Sequence, residues 1–139
     1  MSMLDIFDVA GSAMAAQRVR LNTTASNLAN ADSVAENPAD TYRARHPVFA
    51  AAYNAALTQQ GGANTPVQVQ GIVESNAPLQ ERFEPEHPYA NDEGYVSYPN
   101  VSAVSEMSNM ISASRAFQLN VEVMNTAKSL SERLLSLGQ

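Results

Sequence analysis

All seven prolines of this chain, and four of its six glycines, lie between residues 38 and 99. Proline removes an amide donor and clashes with the preceding turn, at about 3 kcal/mol or more inside a helix. Both flanks can therefore be uninterrupted helices, and the middle cannot. The layout is an N-terminal helix (1–31), an irregular or β-containing insert (32–100) and a C-terminal helix (101–139).

Charge divides the chain at the same places. Residues 1–31 carry Asp5 and Asp8 against Arg18 and Arg20, and residues 101–139 carry Glu106, Glu122 and Glu132 against Arg115, Lys128 and Arg133. Both ends are neutral, so the whole net charge of −6 sits in the insert. A single lysine and an acidic balance argue against a nucleic-acid or anionic-membrane partner, which needs clustered Lys and Arg. The start, MSMLDIFD, has Asp5 and Asp8 where a secretory signal needs positive charge, and no apolar run reaches a membrane span of about 18 residues. There is no cysteine, which excludes disulfides, thiolate metal sites and cysteine nucleophiles.

The 45% hydrophobic content is inflated by 22 alanines, and Leu, Ile, Val and Phe together number only 29 of 139 residues. That is close to the composition, about 20%, below which charged chains stay disordered. An isolated monomer should be marginal and should gain order by burying its ends against neighbours.

Ser2 and Asp5 form a capping-box-like start for the first helix. Phe7, Met14, Leu21 and Leu28 then recur every seven residues, with Leu4, Gly11, Arg18 and Ala25 at the companion positions. This is a heptad seam with one strong and one weak edge. The last helix can begin at Asn100 or Ser102, after Pro99, and run to Leu137 with Gly138 as its stop. It carries two stripes: Met107, Met110, Ser114, Phe117, Val121 and Met124 on one, and Ala116, Leu119, Val123, Thr126, Leu130 and Leu137 on the other. A helix with a single neighbour needs one stripe; two imply further helices, some from other chains.

The insert reads more weakly. PVQVQGIV (66–73), PLQERFE (78–84) and GYVSY (94–98) suggest strands of a small antiparallel sheet or hairpin. DSVAENPAD (32–40) reads as a loop and QQGGAN (59–64) as a mobile tip. RARHPVFAAAYNAAL (43–57) is open between an extended segment, favoured by Pro47, and a short helix, favoured by its alanines. The fold class is mainly α: two long terminal helices packed as an antiparallel coiled-coil-like pair around this insert.

Chemistry is sparse. His87, with Glu84 and Glu86 in EPEHP, offers nitrogen and oxygen ligands, but three candidates in four proline-bounded residues lack the facing geometry of a zinc site. No carboxylate pair, serine–histidine arrangement or phosphate-binding loop stands in a recognisable context. No enzyme, metal, cofactor or small-molecule substrate is expected. Asn27 and Asn30, at the end of the first helix, are either a stop signal or buried carboxamides that bond across a helical assembly and fix its register. Asn109, Asn120 and Asn125 are partners for the second reading.

Three blocks resemble the bacterial flagellar basal-body rod proteins, most closely their proximal-rod members: SNLANADS (26–33), EPEHPYANDEGYVSYPNV (84–101) and SRAFQLNVEVMNTAKSLSERLLSLGQ (114–139). The second block, through Gly94, Tyr95, Val96, Tyr98, Pro99, Asn100 and Val101, is the most specific. The resemblance implies an axial protein of the basal body, exported by the flagellar type III apparatus without a cleaved signal. Its terminal helices would pack with its own copies and with other rod subunits in the periplasm-spanning rod and transmit motor torque. The residues expected at those contacts are Phe7, Met14, Leu21, Asn27, Leu28, Asn30, Met107, Met110, Phe117, Val121, Met124, Asn125, Leu130 and Leu137. Competing readings are a soluble helical adaptor of type III export and a small hydrolase or metalloprotein using His87.

Overall fold

A computed structural model describes residues 3–52 and 65–137; the QQGGAN tip and Ser2 lie outside the described residues. Helix α1 spans Met3–Ala29 and helix α2 spans Ala103–Leu137. Between them lie strands β1 (Arg45–Ala51), β2 (Val67–Glu74), β3 (Gln80–Phe83) and β4 (Tyr95–Tyr98), preceded by one 3-10 turn at Pro38–Asp40. The helices end where the punctuation ends. Ser102 caps α2, its carbonyl accepting the Glu106 amide at 2.9 Å and its hydroxyl that of Ser105 at 3.4 Å.

The helices are antiparallel. Near one end Asn27 Nδ2 donates to Glu106 Oε2 at 3.2 Å and Arg20 donates to Asn109 Oδ1 at 3.1 Å. Near the other, Ile6 shares a groove with Leu119, Val123, Thr126, Ala127 and Leu130. With 27 residues in α1 and 35 in α2, the second helix runs past the start of the first. Residue i of α1 lies level with about residue 131 − i of α2, so the overhang is about nine residues, or about 14 Å at 1.5 Å per residue.

The buried face of this pair is built from small and polar side chains: Ala10, Ala16, Thr23, Thr24 and Asn27 on α1, and Glu106, Ala113 and Ala127 on α2. Phe7, Met14, Leu21 and Leu28, the expected seam, are each only half-buried. Within the chain this is an antiparallel helix pair closed by alanine and threonine, which let the backbones approach without a knob at every heptad position.

The insert is two separate hairpins. β1 pairs antiparallel with β2, and β3 with β4. The open segment 43–57 is extended as far as it is described, with Arg45–Ala51 a strand. Pro47 is tolerated because a two-stranded sheet gives each strand a free edge. Val48 pairs with Gly71 but Phe49 with Val69, a bulge that leaves Gln70 as the extra residue. The β1–β2 hairpin lies against α1, where Ser12 Oγ accepts the Val67 amide at 3.0 Å. The β3–β4 hairpin turns at Asn91, whose side-chain oxygen accepts the amides of Glu93 and Tyr95 at 3.0 and 2.8 Å. Gly94 there has φ +81, and a Cβ would lie 2.9 Å from Phe83 Cε2 and 3.2 Å from Pro85 Cβ. Turn conformation and packing both require glycine.

Candidate functional site

Two features stand out: a polar clamp where the three parts of the chain meet, and two helix faces turned outward.

Asn27, at the end of α1, is 1% exposed. Its Oδ1 accepts the Tyr42 hydroxyl at 2.8 Å and the Arg45 amide at 2.9 Å. Its Nδ2 donates to the Arg45 carbonyl at 2.8 Å and to Glu106 Oε2 at 3.2 Å. A carboxamide has two acceptor and two donor positions, and all four are used within the chain. The cross-chain register bond considered for Asn27 therefore has no atom left to form it. One residue earlier on the same strand entrance, Asn100 Oδ1 accepts the Ala44 amide at 2.7 Å while its Nδ2 donates to the carbonyls of Ser75 and Ala77 at 3.3 and 2.9 Å. The Ala44 carbonyl accepts the Ser75 amide at 2.7 Å. Glu106 is buried at the first turn of α2, where the positive end of the helix and the Asn27 amide face its carboxylate.

Asn30 behaves differently. Its Nδ2 donates to the Ser26 carbonyl at 2.8 Å, one turn back, as a residue closing its own helix does. Among the suggested asparagine partners, Asn109 accepts from Arg20, Asn120 donates to the Ala116 carbonyl of its own helix, and Asn125 is exposed.

The GYVSYPNV block is the buried link between hairpin and helix. Val96 and Pro99 are among the most completely enclosed side chains, and Val101 is 5% exposed. Tyr98 donates its hydroxyl to Glu84 Oε2 at 3.0 Å, and the Arg82 guanidinium lies 4.1 Å from the Tyr98 ring centroid. The hydrogen bond to Glu84, with burial and the Glu84 charge, raises the Tyr98 pKa above its ordinary 10.0, against the opposing Arg82 charge. Tyr95 stacks edge-on against Phe83 at 5.3 Å. His87 accepts the Tyr89 amide through Nδ1 at 3.1 Å, so its ring serves the turn. Among the described residues no group of three or more His, Cys, Asp or Glu is placed to hold a metal ion.

Of the contact residues expected from sequence, Met110, Phe117 and Met124 are half-buried on the α2 face shared with Ala113, while Met107, Val121, Asn125 and Leu130 are exposed. In the second stripe Leu119 is 63% and Val123 47% exposed, at the rim of the groove they share with Ile6; Val104, Ile111, Leu134 and Leu135 are exposed as well. Leu137 ends α2, and its side chain lies outside the described residues. Among the described residues no helix is long and apolar enough to cross a membrane. Sequence reasoning missed Tyr42, Ala44 and Glu106. Their only signal was an asparagine placed directly after Pro99 and another in mid-turn of a helix, neither of which names a distant partner.

A family model for the flagella basal body rod protein matches residues 7–35, and one for the flagellar basal body rod FlgEFG protein C-terminal region matches residues 92–137. These matches cover α1 from Phe7 onward with its exit loop, and β4 with α2. The chain is 51% identical over 139 residues to the flagellar basal-body rod protein FlgC of Escherichia coli O6:H1 and 50% identical to that of Salmonella typhimurium, with 100% of each chain covered. It is 30% identical over 150 aligned positions to FlgC of Bacillus subtilis, again over 100% of both chains.

Proposed function

The chain belongs to the flagellar basal-body rod protein FlgC family and is a structural subunit of that rod; on this premise we propose that its terminal helices are the polymerising elements. They interlock with further copies and with other rod subunits to form the periplasm-spanning shaft that carries motor torque, and no catalytic step is involved. The observation that carries this reading is the outward face of α2, where Val104, Met107 and Ile111 are between 53% and 76% exposed. Isolated soluble proteins rarely leave a continuous stripe of this kind uncovered. Completing the burial of one such side chain contributes up to about 1.5–3 kcal/mol, so a few contacts per neighbour suffice to hold a subunit. Phe7, Met14, Leu21 and Leu28, half-buried in one chain, complete coiled-coil-like packing between chains. The small-residue core supports export through the flagellar type III apparatus, because a marginal monomer is easily kept unfolded before assembly.

The test is the paired variant Val104→Asp with Ile111→Asp. Both residues face outward, so the purified variant should keep the urea midpoint of the parent, while the chain should be missing from isolated basal bodies and cells should not swim. Normal incorporation and motility would overturn the proposal.

A further inference from the structure

Resting on the rod reading, the geometry points to a defined axial stagger between neighbouring copies, set by the helix overhang and by charge. We propose that the outward face of α2 receives the outward face of α1 from a second copy, antiparallel, displaced by about nine residues, or about 14 Å, from the level the two helices keep within one chain.

The two faces differ in size. On α1, the exposed residues Asp8, Ala15, Arg18, Asn22, Ala25 and Ala29 form, with half-buried Gly11, a stripe at alternating spacings of three and four. It is the weak edge of the heptad, shallow and small. The outward face of α2 carries the bulky side chains Met107 and Ile111 together with Arg115, Glu122 and Arg133, all exposed. Bulky side chains pack into a small-residue face more closely than into one another, which favours α2 on α1 over α2 on α2. The contact is then heterologous, the kind that generates open assemblies.

Charge selects the level. A neighbour at the same height would pair residues as the chain itself does, placing Arg18 beside Arg115 and Asp8 beside Glu122, two like-charge contacts. Displacement by about nine residues places Arg18 beside Glu122 and Asp8 beside Arg133. Among the described residues none of these four is in an ion pair within the chain. The same displacement sets Met3 of the second copy level with Leu137, so its α1 runs along the overhang at the end of α2.

The chain has no cysteine, so single disulfides can report the level. In basal bodies isolated from cells expressing Asn22→Cys with Gln118→Cys, mild oxidation should give chain dimers. Asn22→Cys with Ser108→Cys, the same-height pair, should give at least tenfold less. Dimers from the second pair, or from neither while the chain is present in the basal bodies, would overturn the stagger. Absence of the unaltered chain from basal bodies would instead overturn the rod reading. As an independent arm, Arg18→Glu should at least halve swarm diameter and Arg18→Glu with Glu122→Arg should restore it; failure of the double variant to restore would also overturn the stagger.

Discussion

Asn27 and Asn100 hold two consecutive amides, Arg45 at 2.9 Å and Ala44 at 2.7 Å, from opposite ends of the chain. One carboxamide comes from the last turn of α1 and the other from the approach to α2, so the first strand of the insert is registered from both helix junctions at once. A β-strand has no intrinsic register; here two side chains supply it.

Asn27→Ala should therefore cost about 3 kcal/mol or more, because it leaves the buried Glu106 carboxylate and the part-buried Arg45 amide and carbonyl without their partner, at about 1–3 kcal/mol for each unsatisfied group. Urea unfolding followed by circular dichroism would measure it, and amide exchange should accelerate at Arg45. A loss below about 0.5 kcal/mol, typical of an unimportant surface change, would refute the clamp. Asn30→Ala, which removes one bond within its own helix, should cost under about 1 kcal/mol.

Gly94→Ala should destabilise the β3–β4 hairpin by about 1–3 kcal/mol, the combined result of a positive φ and of a Cβ too close to Phe83 and Pro85. The aromatic contact of Phe83 with Tyr95 should loosen, visible as lost near-ultraviolet ellipticity. An unchanged spectrum would mean that the turn adapts.

The long-range plan of the fold was legible because it depends on punctuation. Proline confined to 38–99, with four of the six glycines, leaves only the ends free for long helices, and GYVSY and PVQVQGIV carry strand formers at alternating positions. The interior was less legible. Phe7, Met14, Leu21 and Leu28 looked like the core because they are large, yet the buried face is made by Ala10, Ala16, Thr23 and Thr24. Hydrophobicity alone ranks those residues low; close approach of two backbones ranks them high, and that depends on a partner helix seventy or more positions away. Asn27 was visible as an oddity in a helix, but its partners are a backbone unit and a carboxylate that no local pattern announces.

Tyr98 gives a prediction in pH. Its pKa is raised in the fold, chiefly by the hydrogen bond to Glu84. The folded state thus holds the proton more tightly than the unfolded chain, whose tyrosine titrates near 10. The associated stability is complete below pH 10 and is lost as pH rises through the folded value. Alkaline unfolding of the parent should show this loss, and Tyr98→Phe should remove it while leaving the acid limb unchanged. Identical alkaline profiles would show that the Tyr98–Glu84 bond contributes nothing.

The contrast between the two faces of α2 provides the sharpest test of how this chain divides its folding from its assembly. Ala113 is 0% exposed on the face toward α1, and Ile111 is 56% exposed on the other. Ala113→Leu adds volume at a fully enclosed position, so it should cost the monomer about 1–3 kcal/mol or drive the helices apart. Ile111→Ala removes a side chain that has little to lose in the monomer, and its urea midpoint should shift by less than the equivalent of about 0.5 kcal/mol. Basal-body content should fall in both strains, but only the first should be rescued by a stabilising condition such as an added osmolyte. Were Ile111→Ala to destabilise the monomer as much as Ala113→Leu, the outward stripe would belong to the fold of the single chain, and its role as an assembly face would have to be given up.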